Sequence, residues 1–268
     1  MNGSILQLVA KGQQDLLMVN QCDWSFFKST YRRHANFSLN TYEEQFTSKP
    51  EFGTMSKCCF SYNADLLRGI YLYIELPELS QLKNDGITPI KRSWINAIGH
   101  AIIDCIELKI GNQIIDTIYS DYLEIYSELY IDSSKISGYN EMVGKTVTGL
   151  STIDSDSHKG KMYLYVPLPF FFSKDHGTYL PIIALQKHKV TVDVKFKKLT
   201  ECYITDDETE PPLSNVSFFT SIYADYIFLD SCERKFFIQT PHYYLINQTQ
   251  VIEDGKILNK KGKQTIDI

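Results

Sequence analysis

The amino-acid sequence predicts an all-β protein, an antiparallel eight-stranded jelly-roll sandwich with long loops and one short helix. The first observation is that strand-like segments recur along the 268-residue chain without alternating with helices, as they would in a parallel α/β fold. The second is composition, because Tyr and Phe, which favour strands, number 18 and 15. The third is a segment near residue 190 in which apolar and polar residues alternate strictly.

That segment, residues 189–197, has the clearest strand pattern. Its apolar residues are Val190, Val192, Val194 and Phe196, and its polar residues are Thr191, Asp193, Lys195 and Lys197. A period of two is typical of a strand with one buried and one solvated face. We therefore expect the four apolar residues to be buried and Lys195 and Lys197 to be exposed, because a shift of one residue would bury the lysines.

Similar patterns predict seven further strands. In chain order they cover residues 37–46, 54–62, 67–76, 102–110, 113–118, 162–166 and 218–229. Gly111 and Asn112 separate two of them and favour a two-residue hairpin turn with positive φ angles. Residues 243–251 also have strand character.

The one predicted helix follows the strand at 113–118. Ser120 is typical of an N-cap, and apolar residues recur after it at helical spacing. This helical stripe consists of Tyr122, Leu123, Ile125, Tyr126 and Leu129. The polar segments 131–160 and 205–214 are predicted to be long loops. Three consecutive phenylalanines at 170–172 require a covered environment.

Composition and charge exclude several classes of protein. A formal net charge of −5 gives no general attraction to phosphate backbones, so direct binding of nucleic acid is not expected. The six cysteines have no C-x-x-C spacing, which indicates neither a zinc site nor a disulfide framework. The apolar stretch at residues 5–10 is too short for a signal peptide or a membrane span. These features predict a reduced chain that is made inside the cell and has no membrane span.

Histidines and acidic loops are the candidate metal ligands. His176 and His188 lie near the phenylalanine run, but a jelly-roll metalloenzyme of the cupin kind needs two histidines one residue apart, and H-x-H does not occur. The acidic stretches at 154–158 and 206–208 supply oxygen ligands for calcium but lack the glycine and distal glutamate of a formed site. We therefore predict no catalytic, cofactor-binding or metal-binding residue.

Basic residues form two groups. Arg32, Arg33 and His34 are equally compatible with a salt bridge within the chain and with an assembly contact. The lysines of residues 256–263 are most simply a solvated linker. N-x-S/T sequons begin at Asn36, Asn215 and Asn247. We discount them as glycan acceptors because no secretory signal is found.

Four blocks of sequence, in order and at similar spacing, carry a family resemblance. They are SILQLVA at 4–10 with FFK at 26–28, YRRH at 31–34 and NF at 36–37; WIN at 94–96 with GH at 99–100 and IGNQIID at 110–116; YVPL at 165–168 with LPIIALQ at 180–186; and DY at 225–226 with LD at 229–230 and ER at 233–234. Over most of residues 4–250 the chain thus resembles the major capsid proteins of nucleocytoplasmic large DNA viruses.

The resemblance implies a structural capsid protein and not an enzyme. Members of the family have two consecutive jelly rolls and form trimers, the pseudo-hexagonal capsomers of an icosahedral shell. The implied partners are copies of this chain, neighbouring capsomers and minor capsid proteins, with no direct contact to nucleic acid. The implied location is the virion capsid, after synthesis in the host cytoplasm.

The family plan also suggests a division of the chain. Residues 1–22 are expected to form an N-terminal arm, residues 23–242 a jelly-roll capsid domain, and residues 243–268 a leader into a second jelly roll that this sequence lacks. A fragment, a split gene and a single-roll paralogue all fit this pattern.

Two other functions suit a jelly roll. A carbohydrate-binding module would carry exposed aromatic residues on a concave sheet face. A jelly-roll enzyme would need histidines and carboxylates that converge in a pocket, which the histidine spacing does not offer.

Overall fold

The computed structural model describes residues 3–10, 12, 35–62, 64–83, 87–146, 158–185, 187–207, 209, 211–213 and 216–251. The strands in this part of the chain are β1 Phe37–Glu44, β2 Met55–Cys59, β3 Leu66–Leu76, β4 Arg92–Trp94, β5 Ile103–Ile110, β6 Gln113–Tyr119, β7 Met162–Pro167, β8 Val190–Phe196, β9 Tyr203–Thr205 and β10 Phe219–Leu229. The α-helices are α1 Gly3–Val9, α2 Ile98–Ala101, α3 Ser120–Tyr130, α4 Ile136–Val143, α5 Phe171–Lys174 and α6 Ser231–Gln239.

Two four-stranded antiparallel sheets form the sandwich. Sheet A has the order β1-β10-β3-β7, and sheet B has the order β2-β8-β5-β6. Apart from the β5–β6 hairpin, neighbouring strands within each sheet are not consecutive in the sequence, as is typical of a jelly roll. The predicted all-β jelly-roll fold is confirmed. A small third sheet, β4 with β9, was not predicted because three residues give too short a pattern to recognise.

Alternation along the central strands builds the core. In sheet A, Ile70, Leu72 and Ile74 of β3 are fully buried and point toward sheet B. In sheet B the four apolar residues of β8 are buried, as predicted. Such face-to-face packing of two apolar sheet surfaces stabilises a sandwich by roughly 25 cal/mol per Å² of apolar area removed from water.

The outer face of β8 differs in part from its prediction. Lys195 is exposed as expected and Lys197 is partly exposed, but Thr191 and Asp193 are buried. The reason is the central position of β8 in its sheet, where neighbouring side chains cover the strand from both sides. Lys109 of β5 lies 2.7 Å from Asp193 and shields its carboxylate from solvent.

The prediction of a single helix is wrong, although α3 lies where that helix was expected. Helix α4 occupies part of the predicted loop at 131–160, because Tyr139 and Val143 recur four residues apart and are both buried. Ser120 is also not the N-cap. Tyr119 takes that position, and the Ser120 hydroxyl donates instead to the His100 carbonyl at 3.0 Å.

The hairpin between β5 and β6 forms as predicted. Gly111 and Asn112 have φ angles of 59° and 70°, the left-handed values of a primed turn. Close packing at Gly111 adds a second requirement for glycine, because a Cβ atom there would come 2.7 Å from His188 Nδ1.

Residues 243–251 do not form the strand that their sequence predicted, and the segment 241–251 contains no regular secondary structure. The segment is extended, with Tyr244 and Ile246 partly buried and Tyr243 and Leu245 exposed. Its bonds to the sandwich involve side chains, since Gln248 donates to the Ile115 carbonyl and the Thr249 amide approaches Asp116 Oδ1 at 3.4 Å. These contacts hold the segment beside the edge strand β6 without a backbone ladder.

The assignment of β8 leads to a stability prediction. Val192→Asp places an unpaired charge between Cys58 of β2 and Leu108 of β5, so it should lower the free energy of unfolding by about 3 kcal/mol or more. Urea denaturation followed by circular dichroism measures this change. The matched variant Lys195→Gln removes an exposed ion pair with Asp104 and should leave the free energy of unfolding nearly unchanged. Equal stability of the two variants would contradict the register of β8.

Candidate interaction surface

The outer side of sheet A carries a group of aromatic residues. Because Leu72 and Ile74 point inward, Tyr73 between them points outward, and so do the residues paired with Tyr73 and its outward neighbours on the adjacent strands. We call this group the aromatic face; it consists of Tyr73, Tyr163, Tyr165, Phe219 and Tyr223. Tyr163, Tyr165 and Phe219 are 55%, 41% and 47% exposed. Three different strands, β3, β7 and β10, supply this surface.

Tyr73 lies at the centre of the aromatic face. Its ring centroid is 4.9 Å from that of Tyr165, 5.9 Å from that of Tyr223 and 6.3 Å from that of Phe219. Tilted and edge-to-face pairs at these distances are attractive and restrict the motion of the rings. The face is therefore a pre-organised surface with little side-chain entropy to lose on binding.

Charged groups border the aromatic face. The Lys161 ammonium lies 5.0 Å from the centroid of the Tyr163 ring and forms an ion pair with Glu75. Aromatic groups rimmed by charges are typical of protein interfaces, in which buried tyrosines supply much of the binding energy. A contiguous exposed aromatic surface of this kind marks a site of interaction.

Two helices and one segment expose further apolar side chains. On α3, Ile125 and Leu129 are four residues apart on one helix face. The others are Tyr130, also on α3, Phe236 and Ile238 on α6, and Tyr243 and Leu245 in the extended segment. These residues add possible contact surfaces at the ends and sides of the sandwich.

A buried polar network joins α2, α3 and α4. His100 Nδ1 lies 2.8 Å from Glu124 Oε2, and His100 Nε2 lies 2.9 Å from the Tyr139 hydroxyl. Lys145 binds the other oxygen of Glu124 and also Glu128 at 2.6 Å. All ring positions of His100 that can form hydrogen bonds are thus used within the protein, so the network ties the helices together and offers no catalytic group.

Arg234 of α6 binds a buried carboxylate of the sandwich. Its Nε lies 3.0 Å from Asp65 Oδ1, and Asp65 Oδ2 accepts from the Leu229 amide at 2.7 Å. Asp230 caps α6 by accepting from the Ser231 amide at 2.7 Å. These contacts fix the start of α6 against the end of β10.

The phenylalanine run belongs to the core. Phe170, Phe171 and Phe172 are all buried, and so is Phe218. Phe219, the next residue after Phe218, is exposed and reaches the surface. Sequence reasoning missed the neighbouring tyrosines as a group, because strand pairing that the sequence does not reveal brings them together.

The candidate metal ligands lie apart or have protein partners. Within the described residues, no three His, Cys, Asp or Glu side chains group as metal ligands would. Asp206 Oδ1 accepts from the Lys91 amide at 3.1 Å, and Lys83 lies 2.5 Å from Asp207. The hydrogen bond from Lys83 holds the pKa of Asp207 well below its usual range. His176 contacts the Tyr179 ring.

Several sequence candidates lie outside the described residues. They are Arg32, Arg33 and His34, the acidic residues 154–157, Glu208, the lysines of 256–263, Asn215 and Cys22. Of the other two sequons, Asn36 is partly buried and Asn247 is exposed.

The described cysteines are all free thiols. Burial raises the pKa of Cys58 and of Cys202 to about 12 in each case, so both remain protonated and act as small apolar core residues. No helix in the described part of the chain has the length and apolar character needed to cross a membrane.

Comparison with known families gives a match over most of the chain. The family described as "Major capsid protein N-terminus" matches residues 25–230. "Capsid protein 1" of Acanthamoeba polyphaga mimivirus is 37% identical over 261 residues, covering 93% of this chain and 44% of the relative. The major capsid protein of Phaeocystis pouchetii virus is 32% identical over 300 residues, covering 100% of this chain and 56% of the relative. The chain spans about half the length of these curated relatives.

Solved structures share the fold. The crystal structure of PBCV-1 VP54, fitted into a reconstruction of the virophage Sputnik, has a TM-score of 0.68 and 28% identity, covering 84% of this chain and 50% of that one. The Faustovirus major capsid protein has a TM-score of 0.63 at 10% identity, covering 85% and 60%, and at that identity shows the fold alone.

The buried network predicts a pH dependence of stability. Burial lowers the pKa of His100, so the folded protein binds this proton less readily than the unfolded chain, whose histidine pKa is about 6.5. Neutral His100 should make its full contribution to the free energy of unfolding above pH 6.5. This contribution should be lost as the pH falls from 6.5 toward the lower pKa of His100 in the folded protein, by at most about 1.4 kcal/mol per pH unit. Unfolding free energies at pH 7.5 and 5.5 measure it. A His100→Gln variant with the same pH dependence as the wild type would contradict the prediction.

The aromatic face predicts an effect on association. Tyr165→Ala should weaken self-association about tenfold, because truncation of a central interface tyrosine typically costs 1 kcal/mol or more. Its effect on folding should be about 1 kcal/mol, the value of the lost contact with Tyr73. Sedimentation equilibrium measures the first effect and thermal unfolding the second. Met55→Ala, which removes an exposed apolar side chain from sheet B, is the control, and equal weakening by both variants would contradict a role for this face.

Proposed function

This chain belongs to the major capsid protein family, and we propose that it is a structural subunit of an icosahedral virus shell. In this role it is a rigid protein block that binds other subunits and performs no catalysis. One observation supports the proposal above all others. The family match covers residues 25–230, and β1 to β10 occupy residues 37–229, so the entire sandwich lies inside the matched segment.

We also propose a division of the chain along the family plan. Residues 1–22 act as an N-terminal arm, residues 23–242 form the first jelly roll, and residues 243–268 lead toward a second jelly roll. Tyr243 and Leu245 support this last assignment, because they are 94% and 92% exposed and a packed neighbour would remove them from water. Exposed apolar side chains of this kind are a liability in an isolated chain.

The proposed partners follow from this role. The chain assembles with copies of itself as the homotrimeric capsomer, which then contacts neighbouring capsomers and minor capsid proteins. It is made in the host cytoplasm and resides in the virion capsid. A net charge of −5 supports the absence of direct contact with nucleic acid.

The physical basis of assembly is the burial of several moderate surfaces. The aromatic face supplies rigid anchors, and its charged rim, with Lys161 and Glu75, sets the orientation of a partner. Closed symmetry repeats each contact in every subunit, so modest individual interfaces add up to a stable shell.

The carbohydrate-binding alternative rests on the same aromatic face, since exposed aromatic side chains on a sheet are the feature expected of such a module. We prefer the capsid role because the relatives named above are capsid proteins. The enzyme alternative has no comparable support.

Sedimentation velocity tests the proposal. The 268-residue chain should associate irregularly and in a concentration-dependent way, because the exposed apolar side chains around Tyr243 add contacts between chains to those of the aromatic face. A fusion of this chain to the C-terminal half of the Phaeocystis pouchetii virus major capsid protein should form discrete trimers.

Two results from these samples would contradict the proposal. A stable trimer from the 268-residue chain alone would contradict the need for a second jelly roll. A fusion protein that folds but stays monomeric at every concentration would contradict the role as a capsomer subunit.

A further inference from the structure

A small pocket lies beside the aromatic face, where β7 ends and β3 continues. Its volume is about 210 Å³, and helices α3 and α4 close one side of it. The residues that matter for its chemistry are Arg68, Gly69, Tyr71, Tyr126, Ser173 and Asp225. They come from β3, β10, α3 and α5, so the fold and not a local motif assembles the pocket.

Two oxygen atoms around this pocket have unused capacity for hydrogen bonding. The Ser173 hydroxyl oxygen is buried and has no hydrogen bond in the structure. Asp225 Oδ1 accepts from the Thr41 hydroxyl at 2.5 Å, which leaves Oδ2 available. Buried polar groups are normally paired, so an unpaired hydroxyl in a pocket indicates a missing partner.

Gly69 lies beside both oxygens. A Cβ atom at this position would lie 4.0 Å from both Asp225 Oδ2 and Ser173 Oγ, with no closer neighbour. The two oxygens therefore lie near one point of the pocket wall. The absence of a side chain at Gly69 keeps this point accessible.

Tyrosine residues supply the walls. The Tyr126 ring stacks on Tyr130 with centroids 4.8 Å apart, and the Lys174 ammonium lies 5.8 Å from its centroid, so the ring has a fixed orientation. Burial raises the pKa of Tyr71, and nearby Asp225 raises it further. The Tyr71 hydroxyl thus stays neutral and can both donate and accept a hydrogen bond.

The balance of charges selects the class of ligand. The Arg68 guanidinium attracts an anion, but the Asp225 carboxylate repels it. The carboxylate attracts a cation, but the guanidinium repels it. A neutral compound with adjacent hydroxyl groups satisfies both, because each hydroxyl can donate to the carboxylate and accept from the guanidinium. Its C–H face can lie against a tyrosine ring.

We propose that this pocket binds a single sugar ring. Ligand pockets for larger molecules measure about 300–1,000 Å³, so a volume of about 210 Å³ suits one ring and not an oligosaccharide. The pocket lies beside the aromatic face but shares no residue with it, so sugar binding can be tested independently of shell assembly.

Saturation-transfer difference NMR on the 268-residue chain tests this proposal. The probes are the methyl glycosides of glucose, mannose, galactose and xylose, with inorganic phosphate and glycylglycine as non-sugar compounds. At least one glycoside should give saturable binding. Asp225→Asn, which keeps the shape of the side chain, and Gly69→Ala, which fills the pocket without backbone strain, should each weaken it about tenfold. Glu43→Gln, a charge removal at an exposed position of β1 on the same sheet outside the pocket, should leave it unchanged.

Three results would overturn the proposal. One is the absence of saturable binding by every glycoside to the wild-type chain. Another is equal glycoside binding by the wild type and by Gly69→Ala. This variant retains every polar group of the pocket, so it still tests the site if Asp225→Asn fails to fold. The third is weakened self-association in both variants with unchanged glycoside binding, since a second copy of the chain would then be the occupant.

Discussion

The burial of two sheet faces against each other is the constraint on which the rest of this structure depends. Every inward residue of β3, β8 and β10 must be apolar, or be a polar group with a partner inside the sandwich. Tyr226 illustrates the second case, because its buried hydroxyl donates to Glu44 at 2.7 Å across the edge of sheet A. Once these faces are fixed, the opposite face of each strand is free to serve another purpose. On sheet A, that opposite side carries the aromatic face.

The fold could be predicted from the sequence because period-two patterns are local. Apolar and polar residues alternate from Val190 to Phe196 within one strand. Gly111 and Asn112 specify a turn that requires positive φ angles. Helix α4 could not be predicted in the same way, since its buried residues Tyr139 and Val143 stand among polar ones. Their burial depends on α2 and β7, which approach from distant parts of the chain. The segment 241–251 has apolar residues on both sides, so its pattern does not distinguish a paired strand from an extended surface segment.

The candidate surface was harder to predict from the sequence than the fold. Tyr73 and Tyr165 each alternate with core residues in their own strands, and that alternation identifies them as outward-facing. Their meeting depends on the register of β3 with β7, which places them directly opposite each other. The pocket at Gly69 depends on longer-range geometry, because Asp225 and Ser173 approach it from elements that are far apart in the chain. No spacing in the sequence reports such convergence.

The two outer sheet faces differ in chemistry, and this difference makes them respond oppositely to salt. On sheet B, Lys109 binds both Glu107 at 2.6 Å and Asp193 at 2.7 Å, and Lys195 lies 2.6 Å from Asp104. Dissolved ions screen the exposed Lys195–Asp104 pair most strongly, whereas salts that are excluded from protein surfaces strengthen the burial of aromatic groups. Salt therefore acts in opposite directions on the two sides of the sandwich, since it weakens the exposed ion pair on sheet B and favours the burial of the aromatic face on sheet A.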